Sequence, residues 1–543
     1  MLALLLLAAV PAQLTAQPTV GLMYHDSTKS YQGYTLFAPM EYYVTYLIDN
    51  EGRLVHSWDA QAKPSLSVYL LENGDLLHTA GPSGSGMKIL DWDGNEVWSF
   101  PYRGDSFYRH HDVAMLPDGN ILSVARRVKS VAEVRACGRD TAKIYPRGLW
   151  DDYVFEVNPT TRQIVWEWHT WDHMIQDFDS TKRNYGVVRD HPELIDINYG
   201  VGWGGERYDF IHMNSVAYNP ELDQVVVSSR IYCEAWVIDH STTTEQARGH
   251  TGGRYGHGGD LLYRYGNPEV YRRATTESHR FYFQHDAQWI ADSLPGAGHM
   301  LVFNNGYYNW RRSAVEEWAP PMDSLGFYHI APDSAYGPPQ PLWHYRDTVN
   351  FYSWYISGCQ RMPNGNTLIC DGAGGTFFEV TPDSEVVWKY ISPVDSHGPM
   401  HQGDTVRNEM NTVFRCYRYG PDYPAFEGRN MTPGNPIELP PTGTAEPRPS
   451  RTPTGVRLTV SPNPFRASTV LHLTTGPLDH LTTSLRIFDA AGRLVRVFHP
   501  SPPVPCPSPP ICWDGRDEAG ALVPPGVYFV QAAGARQQLV KTE

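Results

Sequence analysis

Four histidines stand at matching places in a repeating chain. HDVAMLPDGNILSVA (111–125), HMNSVAYNPELDQVVVSS (212–229), HDAQWIADSLPGAGHMLVF (285–303) and HQGDTVRNEMNTVFRC (401–416) each open with one, then alternate apolar and polar residues about a turn. That pattern signals a β-hairpin, so His111, His212 and His285 head equivalent strands, and His401 stands within about a residue of the same register. If such hairpins are arrayed about one axis, strand ends far apart in sequence meet in a single volume. A neutral imidazole there is both a nucleophile and a proton carrier near neutral pH. The following residues, Asp112, Asn214 and Asp286, are short and polar, a type suited to fixing an imidazole tautomer.

Arg230 closes the strand VVVSSR that His212 begins, so one hairpin out and back places both at the same end. A guanidinium there offers a fixed, always-charged fork to an oxyanion. A lone histidine at a strand start usually caps backbone or packs on a neighbour, and a lone arginine usually makes a surface ion pair. Three histidines in matching repeat positions favour chemistry instead. Metal binding is the competing use of three imidazoles, but an arginine aimed at the same point repels a dication, and no H-E-x-x-H spacing occurs. His250 and His257 lie in a Gly-rich insertion and read as loop residues. There is no P-loop, no G-x-G-x-x-G after a strand and no G-x-S-x-G elbow.

The elements that must position these residues repeat as well. YLIDNEGRLVHSW (46–58), KILDWDGNEVWSF (88–100), YVFEVNPTTRQIVWEW (153–168) and FFEVTPDSEVVWKY (377–390) each run from an apolar strand through a turn to a strand ending in Trp. Degenerate copies fall at 234–266 and 315–345. Each alternates with a second hairpin, and two hairpins make a four-stranded sheet. A tandem array of such sheets is the signature of a β-propeller, here of six units with expanded loops at 170–210 and 241–258. After residue 431 a Pro-rich stretch (432–455) reads as an extended linker. Short alternating strands from 456 to 543 suit a small Ig-like β-sandwich. The expectation is therefore an all-β chain: a six-bladed propeller over 17–431 and a C-terminal sandwich.

Composition sets the outer bounds. The chain's 543 residues are too many for one ordinary core, and 41% hydrophobic residues leave ample material to bury. A net charge of −15 argues against nucleic acid as a partner, because a polyanion needs a basic face, and it requires any anion pocket to be locally basic. MLALLLLAAV followed by Leu14-Thr15-Ala16 reads as a signal peptide over 1–16, too short to span a membrane. Export permits disulfides among the seven cysteines. Cys359 and Cys370 lie at equal distances from the Asn364-Gly365 turn, which expects them opposite each other on a hairpin. Cys506 and Cys512 are the other candidate pair.

The segments DFIHMNSVAYNPELDQVVVSSR, QHDAQWI with GHMLVFNNG, and HHDVAMLPDGNIL resemble the bacterial aryl-sulfate sulfotransferase family over most of 20–430. The H-x-N-S…SSR hairpin is the most specific part and the D-G turns the least. The resemblance implies a propeller that moves a sulfuryl group from a phenolic sulfate ester to a phenolic acceptor through a sulfohistidine. The reaction is PAPS-independent, with ping-pong kinetics and no cofactor or metal. It implies His285 as nucleophile, with His212, Arg230 and His111 as its catalytic partners; whether His111 or His212 is the general acid stays open, and His401 inherits no role. Aromatic residues near the mouth, Tyr208, Trp203 and Tyr307, are candidates for stacking on phenolic rings. SPNPF and WDGRDEAGALVPPGVYFV resemble type IX secretion sorting domains. That likeness implies passage through this machinery to the exterior or surface of a Gram-negative bacterium. Two other functions fit the same pattern: a non-catalytic surface propeller that binds a glycan or protein, and a sulfate-ester hydrolase on the same scaffold.

Overall fold

In the computed structural model, residues 18–542 are described apart from 65, 81–84, 200–207, 275–277, 307–310, 407–408, 442–455, 476–484, 490–492, 499–510 and 533–534. The expected signal peptide, residues 442–455 of the expected linker, Cys506, Trp203 and Tyr307 lie outside the described residues. The fold is nearly all-β, with 5% helix and 42% strand. No helix among the described residues is long and apolar enough to cross a membrane. The chain divides into two compact units, 1–442 and 443–543.

The described residues of the first unit form six antiparallel sheets of four or five strands. Five contain four consecutive strands, each pairing the hairpin type headed by histidine or its equivalent with the Trp-ended type that follows, and the last of these adds Gly21–His25 beside Val386–Ile391 as a fifth strand. Their first strands are Val68–Leu70, Phe107–Met115, Met213–Asn219, His285–Trp289 and Gly358–Arg361. Tight turns set the registers: Gly119, in the D-G turn between Phe107–Met115 and Ile121–Lys129, has φ 86°, which only glycine adopts without cost.

The recurrent tryptophans join neighbouring sheets. Trp58, Trp98, Trp343 and Trp388 donate their indole N–H to Asp91 O (3.1 Å), Pro159 O (2.9 Å), Pro382 O (2.8 Å) and Asn50 O (2.7 Å), each on the next sheet. Trp166 reaches Thr242 Oγ1 at 3.2 Å, and in the fourth sheet, whose last strand Tyr263–Tyr265 carries no tryptophan, Tyr263 donates to Gly337 O at 2.7 Å. These six bonds run from each sheet to the next, and the one from Trp388 to Asn50 returns to the first, closing a propeller-like ring. The repeat keeps a large apolar side chain with one donor because that position must fill an inter-sheet seam and satisfy a turn carbonyl together. Replacing a fully buried tryptophan such as Trp388 by alanine costs about 3–5 kcal/mol.

Two expectations are corrected here. The segment 401–416 is not a hairpin: among its described residues the one strand is that of Val413–Tyr419, and it pairs with Tyr34–Pro39 from the other end of the first unit. The apolar alternation near 413 belongs to a strand whose partners lie at the N-terminus, which local spacing cannot reveal. Cys359 and Cys370 are not opposite each other. Met362 N–H bonds Asn366 O across a three-residue loop centred on Asn364, so Gly358 faces Cys370 and Cys359 faces Ile369. The one-residue offset turns the two thiols to opposite sheet faces, into separate apolar clusters. Cys137, Cys233, Cys359, Cys370, Cys416 and Cys512 are all free thiols.

Residues 432–441 run along the first unit: Leu54 N–H bonds Asn435 O, Leu439 N–H bonds Met400 O, and Ile437 is buried. In the second unit a three-stranded and a four-stranded antiparallel sheet share a core that includes Leu471, Trp513, Ile487, Val530 and Leu539.

Candidate active site

The histidines stand in or just before three of the six first strands, and irregularities in two of those strands aim His111 and His285. Between the pairs Arg109↔Ala125 and Val113↔Ser123, the residues His110, His111 and Asp112 face the single Val124. Between His285↔Phe303 and Gln288↔Leu301, Asp286 and Ala287 face Val302 alone. Such bulges turn side chains out of the pleat at a strand end. His212 stands just before Met213–Asn219, where its carbonyl accepts from Arg230 N–H at 3.1 Å. The structure thus brings His111 and His212 together, ring centroids 4.8 Å apart, with Arg230 bonded to the His212 backbone. His285 is 2% exposed and feels both Arg230 and His212 electrostatically.

Hydrogen bonds settle which ring nitrogens carry protons. His285 Nδ1 lies 2.6 Å from Asn305 Oδ1. The Asn305 amide nitrogen donates to Ser353 O (2.8 Å) and Ile356 O (2.9 Å), so its oxygen must face the ring. His285 therefore donates through Nδ1 and keeps the lone pair on Nε2. Burial, then the Arg230 charge, pull its pKa well below the usual histidine value, so the ring is neutral. His212 Nδ1 lies 2.6 Å from Asp209 Oδ2. Burial opposes ionisation of Asp209, but the charges of His212 and Arg126 outweigh it and hold this carboxyl well below the carboxylate range. An ionised carboxylate only accepts, so His212 also donates from Nδ1 and leaves Nε2 for exchange.

His111 belongs to a longer chain of contacts. Its Nδ1 is 2.6 Å from His110 Nδ1, which also accepts from Arg126 Nη2 at 3.1 Å. His110 Nδ1 is therefore an acceptor and His111 Nδ1 the donor, while His110 Nε2 lies 3.3 Å from Asp152 Oδ1. Burial, then His212, lower the His111 pKa well below its ordinary value.

The arginines differ in one decisive respect. Arg126 is held by Asp152 (3.6 Å) and Asp209 (3.5 Å). Arg415 is held by Asp112 (2.7 Å) and Asp286 (3.2 Å) and donates to Asn214 O at 2.9 Å. Among the described residues no carboxylate is paired with the Arg230 guanidinium, which rests over the Phe283 ring with Cζ 4.8 Å from its centroid. Asp209 acts on it only at a distance, which leaves its donors able to meet an anion next to a neutral nucleophilic nitrogen.

Several expectations about the surroundings change. Asp112 and Asp286 do not fix imidazoles; they hold Arg415, and Asn214 donates to Gln284 O at 2.7 Å. Asp112 and Asp286 converge on one guanidinium, and the Asn214 carbonyl accepts from the same group at 2.9 Å. The tautomer-fixing groups are Asp209, Asn305 and His110, of which only the HH pair at 110–111 left a visible trace in the sequence. His401 stays out of the site: it bridges Leu439, and its Nδ1 lies 2.7 Å from Pro440 O. Tyr208 packs on Trp150 and Tyr145, ring centroids 4.7 and 5.0 Å away.

An all-β scaffold that gathers imidazoles and an unpaired guanidinium at the inner strand ends is the class of protein these observations define. The arylsulfotransferase (ASST) family model matches residues 24–413, and the chain belongs to this family of sulfotransferase enzymes. No curated protein matches the chain. Among solved structures it is similar to a protein of unknown function from Bacteroides caccae, at 13% identity and TM-score 0.39, covering 72% of this chain and 99% of that one. A streptogramin B lyase is similar at 9% identity and TM-score 0.34, covering 75% and 96%. Virginiamycin B lyase from Staphylococcus aureus is similar at 7% identity and TM-score 0.30, covering 70% and 86%.

Proposed function

We propose that the chain is a PAPS-independent aryl-sulfate sulfotransferase that works through a sulfohistidine on His285, and that its first unit is a six-bladed propeller. The observation that carries this reading is the unpaired Arg230 guanidinium beside the neutral His285 ring, whose tautomer Asn305 sets. In the first half-reaction His285 Nε2 attacks sulfur, the N–S bond forms, and the S–O bond to the aryl group breaks with its electron pair leaving on the phenolate oxygen. His212, backed by Asp209, gives that oxygen a proton from Nε2. In the second half-reaction His212 takes the proton of an incoming phenol, the phenol oxygen attacks sulfur, and the N–S bond breaks to restore His285. Arg230 meets the negative charge that builds on the sulfuryl oxygens in a loose transition state, and His111 lines the same volume. Splitting the transfer in this way gives ping-pong kinetics.

For the rest of the chain, residues 1–16 act as a signal peptide, and the second unit acts as an Ig-like sorting domain for type IX secretion, delivering the enzyme to the cell exterior. The sorting-motif likeness of its sequence supports that reading.

The test mixes purified full chain with 4-nitrophenyl sulfate, with and without added phenol. Phenol-stimulated nitrophenol release that disappears in His285→Ala supports the transferase. Phenol-independent release makes the protein a sulfate-ester hydrolase, and no release from folded wild type across several donors leaves a binding propeller.

A further inference from the structure

Away from the axis, a second histidine cluster joins the two expanded loops. His173 ends the short turn Thr170–His173, while His250 and Asp260 belong to the Gly-rich insertion. The candidate ligand atoms of the three residues all lie within 4.8 Å of one another. His173 Nδ1 is 2.8 Å and His250 Nδ1 2.7 Å from the same oxygen, Asp260 Oδ1. On the far side of its ring, His173 Nε2 lies 2.8 Å from Ala247 O. A carbonyl only accepts, so Nε2 carries a hydrogen and Nδ1 is the nitrogen turned inward. A backbone carbonyl tying down the outer nitrogen is the usual support of a metal-binding imidazole.

We propose that His173, His250 and Asp260 form a binding site for a divalent transition-metal ion of the zinc type. Two imidazole nitrogens and one carboxylate oxygen suit zinc, cobalt or iron rather than calcium or magnesium. At metal–ligand distances of about 2.0–2.2 Å, the ligand atoms stand roughly 3–3.5 Å apart, so the two nitrogen–oxygen spacings open by about half an ångström while the nitrogens, within 4.8 Å of each other, draw in as the exposed His250 ring turns. His173 is fully buried and Asp260 nearly so, whereas the His250 side chain is 60% exposed. His250 lines a cleft of about 880 Å³ together with His191 and Arg248, which gives the ion an entry path and room for a water as fourth ligand. Gly259 makes the approach possible, because a Cβ there would stand 2.6 Å from His173 Nε2. The bound ion staples the insertion to the turn at 170–173 and leaves an open coordination position facing the cleft.

The experiment uses the purified full chain, stripped with chelator, dialysed and titrated with Co²⁺, followed by visible d–d absorption, Zn²⁺ displacement and metal analysis. The proposal expects about one ion per chain, a rise in melting temperature on binding, and at least a 10-fold loss of affinity in His250→Ala and in Asp260→Asn. His250 is exposed and Asp260→Asn preserves shape, so both variants are expected to fold, as circular dichroism verifies. His257→Ala, which removes an exposed loop histidine outside the cluster, keeps wild-type affinity. Absence of d–d absorption in wild type, or equal affinity in wild type and His250→Ala, overturns the site and leaves His173 and Asp260 as an ordinary hydrogen-bonded pair.

Discussion

His111 and His212 share one backbone conformation, φ 54° in each, although they stand in different sheets. For a residue with a Cβ this left-handed region is strained, at a cost of roughly 1–3 kcal/mol, and such residues gather at functional sites. The bulge at 110–112 and the pairing of His212 O with Arg230 N–H hold the two backbones there.

Removing the imidazole without removing the strain should therefore be worse than removing both. His111→Gly and His212→Gly are expected to be more stable than the corresponding alanine variants by about 1 kcal/mol each. Urea unfolding of the four proteins checks this, and an alanine variant as stable as its glycine counterpart would sink the strain argument.

Asn305 acts through His285 and should behave as a positioning residue. Asn305→Ala frees the ring to take the other tautomer, so kcat for sulfuryl transfer is expected to fall about 10²-fold while KM for the donor holds. A fall confined to KM would mean that Asn305 serves substrate binding instead.

Arg230→Lys keeps the charge and removes the two-pronged fork. A drop of about 10²–10³ in kcat is expected, because the lost donors meet charge that develops in the transition state. Steady-state kinetics on 4-nitrophenyl sulfate at several phenol concentrations would show it. Unchanged kcat in the lysine variant would mean that only net charge matters.

A pH effect on stability comes from His78, fully buried with neither ring nitrogen bonded to any of the described residues. Burial, then Lys88, lowers its pKa to about 3. Between about pH 3 and 6.5 the unfolded chain binds this proton and the folded chain does not, so stability falls as pH falls through that window. His78→Leu removes the effect. Its stability relative to wild type should improve by about 1.4 kcal/mol between pH 8 and pH 5.5, read from melting curves at the two values. A difference that does not change with pH would show that His78 is not buried neutral.

Periodicity revealed the sheets because each inner strand is local: D-G and N-G turns and the closing tryptophans fall within a few dozen residues. It also showed His111, His212, His285 and Arg230 at equivalent strand ends, since a repeat maps sequence register onto spatial register. What it concealed was contacts that break the repeat. Asn305 lies beyond the strand that His285 opens, and Asp209 precedes the hairpin of His212. The partner of Val413–Tyr419 lies at the other end of the chain. Cys359 and Cys370 misled for a related reason: symmetry about a dipeptide assumed a two-residue turn where the chain makes one of three.

The pairing of Tyr34–Pro39 with Val413–Tyr419 also governs when the protein can become itself. Thr35 and Arg418, bonded across that seam, are 383 residues apart. Contacts so distant close late and make folding slow. A growing chain holds Tyr34–Pro39 as a bare sheet edge until almost the whole first unit has emerged, and a bare edge invites pairing with other chains. Truncation just before residue 413 is thus more than the loss of one strand: it leaves Tyr34–Pro39 a permanently open edge at which other chains can add.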